Sequence, residues 1–106
     1  VARIIRAADH PHVRALADLY HMANMGETPA DLAAALPVVY WVEIAEKVQR
    51  TAPGVSGDDF RPFFAELARA RYAGGITIEG KWTPAQRKTG GETIRQQADE
   101  AAHQAM

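Results

Sequence analysis

Cysteine is absent from the 106 residues, which excludes disulfides and thiolate metal sites and is compatible with a cytoplasmic location. Long apolar runs are missing too: none approaches the ~20 residues that span a bilayer, and no charged-then-apolar secretion signal opens the chain. Neither sign of charge prevails. Twelve Lys and Arg against 13 Asp and Glu leave a formal net charge of −1, so nothing electrostatic calls for nucleic acid or an anionic membrane as partner. An initiating methionine is also lacking, and Val1 leads straight into Arg3-Ile4-Ile5-Arg6 as if in mid-domain. A processed, truncated or engineered chain is therefore one expectation. What is present is ordinary globular material, 47% hydrophobic and 24% charged, which argues against disorder. The length suits a single domain over 1–106 that buries about two-thirds of its unfolded surface.

The pattern along the chain reads as alternating helix and strand. Residues 3–10 form a short, weakly amphipathic helix that Pro11 interrupts, and residues 13–20 read as strand, most apolar over 16–20. A loop over 22–27 leads to a helix start in which Thr28 is the N-cap, Pro29 the first residue and Asp31 part of the first turn. That helix ends before Pro37. Residues 38–44 are an uninterrupted β-branched and aromatic run, as in a parallel sheet covered on both faces. Pro53, Gly54 and Gly57 make 47–59 a loop, longer than most and for that reason a candidate for function. Asp58 or Asp59 caps a helix over 60–71 with a stripe of Phe60, Phe63, Phe64, Leu67 and Ala68, closed by a glycine stop at Gly74-Gly75. Residues 76–79 give a third strand, and 91–103 a last, mostly polar helix after the 80–84 connection. The fold class is α/β with parallel βα repeats.

Each strand run finishes on side chains able to do chemistry: Leu16-Ala17-Asp18-Leu19-Tyr20-His21, Val38-Val39-Tyr40-Trp41-Val42-Glu43 and Gly75-Ile76-Thr77-Ile78-Glu79. Parallel α/β folds assemble their active sites outside the carboxyl ends of their strands. Asp18 and Glu43 are 25 positions apart and Glu43 and Glu79 are 36 apart, bracketing the roughly 30 residues of a βα repeat. Three repeats thus bring three carboxylates together, a ligand set for a hard or borderline cation such as Mg²⁺, Mn²⁺ or Zn²⁺. The plainer alternative is that each acid caps a helix or sits solvated in a loop. His21 reads as a surface or hydrogen-bonded histidine or, given its nearness to Asp18, as a catalytic one. Arg50 is a solvated loop arginine or a guanidinium that forks onto a sugar hydroxyl or phosphate. Glu46 reads as structural, Tyr40 and Trp41 as buried sheet residues, and Trp82 as rim packing or the wall of a sugar pocket. His10 and His12, at the opposite end of the first strand, and His103 carry no assigned role.

Taken in order, Asp18-Leu19-Tyr20-His21-Met22, Val42-Glu43-Ile44-Ala45-Glu46 through Arg50-Thr51-Ala52-Pro53-Gly54, and Gly57-Asp58-Asp59-Phe60 through Tyr72-Ala73-Gly74-Gly75 to Ile76-Thr77-Ile78-Glu79 resemble the C-terminal portion of the xylose isomerase-like TIM barrels. The likeness is to the hydroxypyruvate isomerase and ketose 3-epimerase branch of sugar phosphate isomerases and epimerases. It covers roughly residues 7–82. It implies that the three strands are the sixth, seventh and eighth of a barrel. It also implies that Asp18 and Glu79 bind the metal, that His21 and Arg50 contact substrate, and that Glu79 moves the proton. Two departures stand out. Glu43 occupies the place of a metal-binding histidine, with Trp41 at the preceding histidine position, and the first five strands and the partner glutamate they carry are absent.

The function implied is metal-dependent isomerisation or epimerisation of a sugar or sugar phosphate, by proton transfer next to a carbonyl through an enediolate, incomplete in this chain. A second reading is a catalytically silent half-barrel that pairs with itself or with the missing barrel half, because three βα units leave two open sheet edges. A third is metal-dependent phosphoester cleavage of the endonuclease IV-like kind, which the near-neutral charge disfavours for a DNA substrate.

Overall fold

A computed structural model of the chain describes residues 2–10 and 14–105. Three strands, β1 (Ala15–Asp18), β2 (Val39–Ile44) and β3 (Gly75–Ile78), lie in sequence order in one parallel sheet. The helices are α1 (Ala2–Ala8), α2 (Leu19–Asn24), α3 (Pro29–Ala35), α4 (Arg61–Arg69) and α5 (Pro84–Ala105), with a 3₁₀ turn over Leu36–Val38 leading into β2. The expected α/β class with parallel βα repeats is therefore what the chain forms. Pro11, His12 and Val13, where a helix break and the start of the first strand are expected, lie outside the described residues.

The two faces of the sheet differ. Ala15, Ala17, Val42 and Ile44 turn toward the helices and join Leu19, Leu32, Phe60, Phe64, Leu67 and Ala101 in one core, with Ile76 and Ile78 packed against it. Each large apolar side chain so buried contributes roughly 1.5–3 kcal/mol. The opposite face carries Leu16 and Asp18, Trp41 and Glu43, and Gly75 and Thr77, and it is open: Leu16 is 41% exposed. Expecting both faces to be covered was therefore wrong for these residues, and Tyr40, 54% exposed, is no buried sheet residue. The register slips between Ala15 and Leu16, which pair with Val39 and Trp41, so Tyr40 is passed over and left outside. Trp41 pairs with Gly75, where a Cβ would collide with the indole, and its Nε1 donates to Thr77 Oγ1 at 3.0 Å. A large side chain beside a missing one on the same rung is how barrel interiors fill.

Several boundaries move for local reasons. β1 stops at Asp18 rather than running to Tyr20, because the Asp18 carboxylate accepts the Tyr20 and His21 amides and starts α2, replacing part of the expected 22–27 loop. The Thr28 capping box with Asp31 begins α3 as expected. The N-cap of α4 is Phe60, not Asp58 or Asp59, although Asp59 Oδ1 takes the Arg61 amide at 3.0 Å. Arg71 at φ +54°, rather than a glycine, makes the left-handed stop after α4, with the Tyr72 amide returning to the Leu67 carbonyl at 2.9 Å. α5 begins at Pro84, seven residues before the expected 91–103 helix, because Thr83 and Gln86 cap each other's amides.

Candidate functional site

The sheet register alone puts Asp18, Glu43 and Thr77 side by side on the open face, at the last residue of β1 and the next-to-last of β2 and β3. Glu79 lies two residues beyond Thr77, and its amide extends the ladder by donating to the Ile44 carbonyl at 3.1 Å. Period-two alternation returns Glu79 to the side of the sheet that carries Thr77. The three expected carboxylates therefore share one rim.

Asp18 serves two ends. Its Oδ1 caps α2, accepting from the Tyr20 amide at 2.9 Å and the His21 amide at 3.4 Å. Its Oδ2 stands 3.6 Å from His21 Nε2 and 3.5 Å from Arg50 Nη2, with only 11% of the side chain exposed. The helix cap fixes the carboxylate's orientation, so the expected helix-capping role of this acid is what Oδ1 fills while Oδ2 faces His21 and Arg50. His21 belongs to the first turns of α2 rather than to a strand end, and its ring is solvent-facing.

Arg50 reaches the rim from the 47–59 loop. Its Nε donates to the Glu79 carbonyl at 3.0 Å, its Nη2 meets Asp18, and its guanidinium lies 4.8 Å from the centre of the Tyr20 ring. The loop backbone is held unusually at this point, with Gln49 at φ +59° and Arg50 at φ +57°, a region non-glycine residues seldom occupy. The Arg50 carbonyl accepts the Lys81 amide at 2.8 Å, and the glycine at position 80 permits that approach, since a Cβ there would collide with the same oxygen. Arg50 is thus tied to the end of the third strand run twice, by its side chain to the Glu79 carbonyl and by its backbone to Lys81. Tyr20 is a site residue that sequence reasoning passed over. The available signal was an aromatic two places after a strand-ending acid, on the side from which a loop arginine arrives.

Electrostatically the rim is crowded. Burial first, then the negative charges of Asp18 and Glu79 and a hydrogen bond to Asp18, hold the Glu43 carboxyl above its ordinary value, while Arg50 pulls the other way. Converging acids of this kind suit a hard divalent cation by donor chemistry. Among the described residues, however, no three Asp, Glu or His side chains stand close enough to hold one, and Arg50 lies against the Asp18 oxygen that would be a ligand. Beneath β1 a cavity of about 530 Å³, lined by Asp18, His21, Met22, Glu27, Leu32 and Val39 among others, opens at the free strand edge.

Glu46, three residues beyond Glu43, has no exposed surface at all. Its carboxylate accepts from the amides of Gly54 (3.3 Å), Ser56 and Asp58 (2.9 Å) and from Thr51 Oγ1 (3.0 Å). Burial raises this carboxyl, but the Ser56, Asp58, Thr51 and Gly54 donors outweigh it and leave it below its ordinary value. The structural role expected of Glu46 is what the loop displays. Trp82, 41% exposed, stacks near the Arg87 guanidinium at 5.6 Å, away from the hydrogen bonds of the rim.

The model of the family described as xylose isomerase-like TIM barrel matches residues 1–103. Among curated protein sequences none matches the chain. Among solved structures, that of an L-ribulose 3-epimerase superposes with a TM-score of 0.85 at 18% identity, covering 97% of this chain and 42% of that one. The chain thus spans less than half the length of that epimerase, and at this identity the likeness speaks for the fold alone. Among the described residues no helix is long and apolar enough to cross a membrane.

Proposed function

The chain belongs to the xylose isomerase-like TIM barrel family, and on that footing we propose that it supplies the carboxylate rim of a sugar isomerase or epimerase acting on an open-chain ketose or ketose phosphate. The observation that carries this reading is the convergence of Asp18, Glu43 and Glu79 with Arg50 at the carboxyl ends of three parallel strands. In this proposal Glu79 exchanges the proton on the carbon next to the substrate carbonyl. A carboxylate suits this step because it can take the proton as a base and return it as an acid. Arg50 and His21 hold substrate hydroxyl or phosphate oxygens, with the guanidinium kept over the Tyr20 ring. Asp18, Glu43 and Glu79 would be the protein's ligands to a divalent cation, Mn²⁺, Mg²⁺ or Zn²⁺, which when bound draws electron density from the carbonyl and acidifies the adjacent C–H. Binding would require Arg50 to leave Asp18 Oδ2 and the three carboxylates to draw closer together than they stand. The second acid/base of an epimerisation lies outside these three βα units.

The direct test incubates the protein with L-ribulose and Mn²⁺ in D₂O and follows deuterium entering the carbon next to the carbonyl by NMR. Exchange that disappears in Glu79→Gln supports the assignment, and an unaffected rate in that variant removes Glu79 from the role. Calorimetric titration of Mn²⁺ into the protein and into Asp18→Asn reads the metal separately from activity.

A second reading, a silent half-barrel that associates, is favoured by the open sheet face with its exposed Leu16. Sedimentation separates the two: a well-folded monomer counts against it. Phosphoester cleavage on DNA is disfavoured by the net charge of −1.

A further inference from the structure

A fully buried carboxylate that neither touches the rim nor pairs with a cation needs a reason to be there, because an apolar residue would fill the same space without its desolvation cost. Glu46 has no exposed surface, and among the described residues the hydrogen bonds of its carboxylate all go to the loop that delivers Arg50. Its two oxygens gather the Gly54, Ser56 and Asp58 amides and the Thr51 hydroxyl, and its own amide donates to the Thr51 carbonyl at 2.8 Å. Thr51 is therefore clamped at both its carbonyl and its side chain, immediately after the two left-handed residues Gln49 and Arg50. Left-handed backbone at non-glycine positions is strained and persists only where neighbours over-determine it. The Lys47 amide, donating to Asp58 Oδ2 at 2.7 Å, ties the near end of the loop to the same cluster.

We propose that Glu46 is the positioning residue for Arg50: its carboxylate acts as the hub on which the 47–59 loop folds, and through Thr51 it holds the strained turn that aims the guanidinium at Asp18 and the Glu79 carbonyl. A loop of that length built only from its own backbone would leave Arg50 free to sample solvent. With the hub in place, Arg50 is presented already ordered. The consequence for substrate handling rests on the function proposed above, whereas the Glu46-to-Arg50 coupling does not.

The experiment reads the Arg50 side chain directly, as the water-exchange rate of its Nε–H signal in ¹⁵N-labelled protein, assigned by its loss in Arg50→Lys. Glu46→Gln turns an amide NH₂ toward backbone donors and should speed that exchange about tenfold, the effect of losing one net hydrogen bond, with the amides of Val42, Ile44 and Phe64 unchanged. Thr51→Val removes only the hydroxyl link and should shift the same signal by less. An Arg50 signal that does not move in either variant, or that moves only in step with the core amides, overturns the proposal. Should Glu46→Gln fail to fold, Thr51→Val decides alone by the same criterion. Titrating L-ribulose into the unaltered protein keeps the two ideas apart: an Arg50 signal indifferent to the ketose counts against the functional reading and leaves the Glu46 result standing.

Discussion

Glu43 and Glu46 are three residues apart, one at the end of β2 and one just past it, yet they stand in opposite electrostatic worlds. At the rim, Glu43 is surrounded by other acids and kept above its ordinary protonation range by burial, Asp18 and Glu79. In the loop behind the rim, Glu46 is more deeply buried and is nevertheless held below that range, because four hydrogen-bond donors close on it. Burial alone therefore predicts the direction for Glu43 and the wrong one for Glu46. What decides is whether the groups that share the buried space are acceptors or donors. The rim is an arrangement still in want of positive charge, and the loop is one already satisfied.

The largest expected effect tests the rim. Glu79→Gln should lower carbon-proton exchange by about 10²–10⁴-fold, as expected for loss of a general acid/base, while leaving the urea midpoint near that of the unaltered protein. The loop should respond in the reverse manner. Glu46→Ala removes the acceptor that the Gly54, Ser56 and Asp58 amides share and should cost about 1–3 kcal/mol of stability, read as a lowered urea midpoint.

The pH dependence sharpens the contrast. Glu46 is depressed on folding, so its stabilising contribution is present above the ordinary carboxylate value and lost as pH falls through its lowered one; Glu46→Gln should flatten the acid limb of a stability curve. Glu43 is raised on folding, so its contribution is present below the ordinary value and lost as pH rises through the raised one. Smallest of all, Glu43→Gln should therefore make the protein slightly more stable at neutral pH, by less than about 1 kcal/mol for a partly exposed group. A Glu43→Gln variant less stable than its parent at pH 7 would break the comparison.

Much of this was legible in the sequence because it depends on period and spacing. The strand-ending acids Asp18, Glu43 and Glu79, the Thr28-Pro29 helix start and the parallel βα order all follow from local chemistry that the fold has no cause to override. What was not legible depends on pairing across the sheet and on loop conformation. Tyr40 reads as core by type and is left outside by a one-residue slip in register. Tyr20 reads as the end of a strand and becomes the platform for Arg50, because Asp18, two residues earlier, caps a helix. Gln49 and Arg50 carry no mark of a left-handed turn, since glycine, the usual signal, stands elsewhere. The Thr83-Pro84-Gln86 capping signature was available and marks the true start of α5.

One feature of the open face has an optical consequence. The Trp41 indole lies across Gly75 and is anchored to Thr77, on the side of the sheet where further barrel strands would have to close. Its fluorescence is thus a built-in gauge of enclosure. In a Trp82→Phe background, which removes the second of the two tryptophans, a blue shift of the remaining emission would register the moment another chain, or another part of the same one, seals the half-barrel.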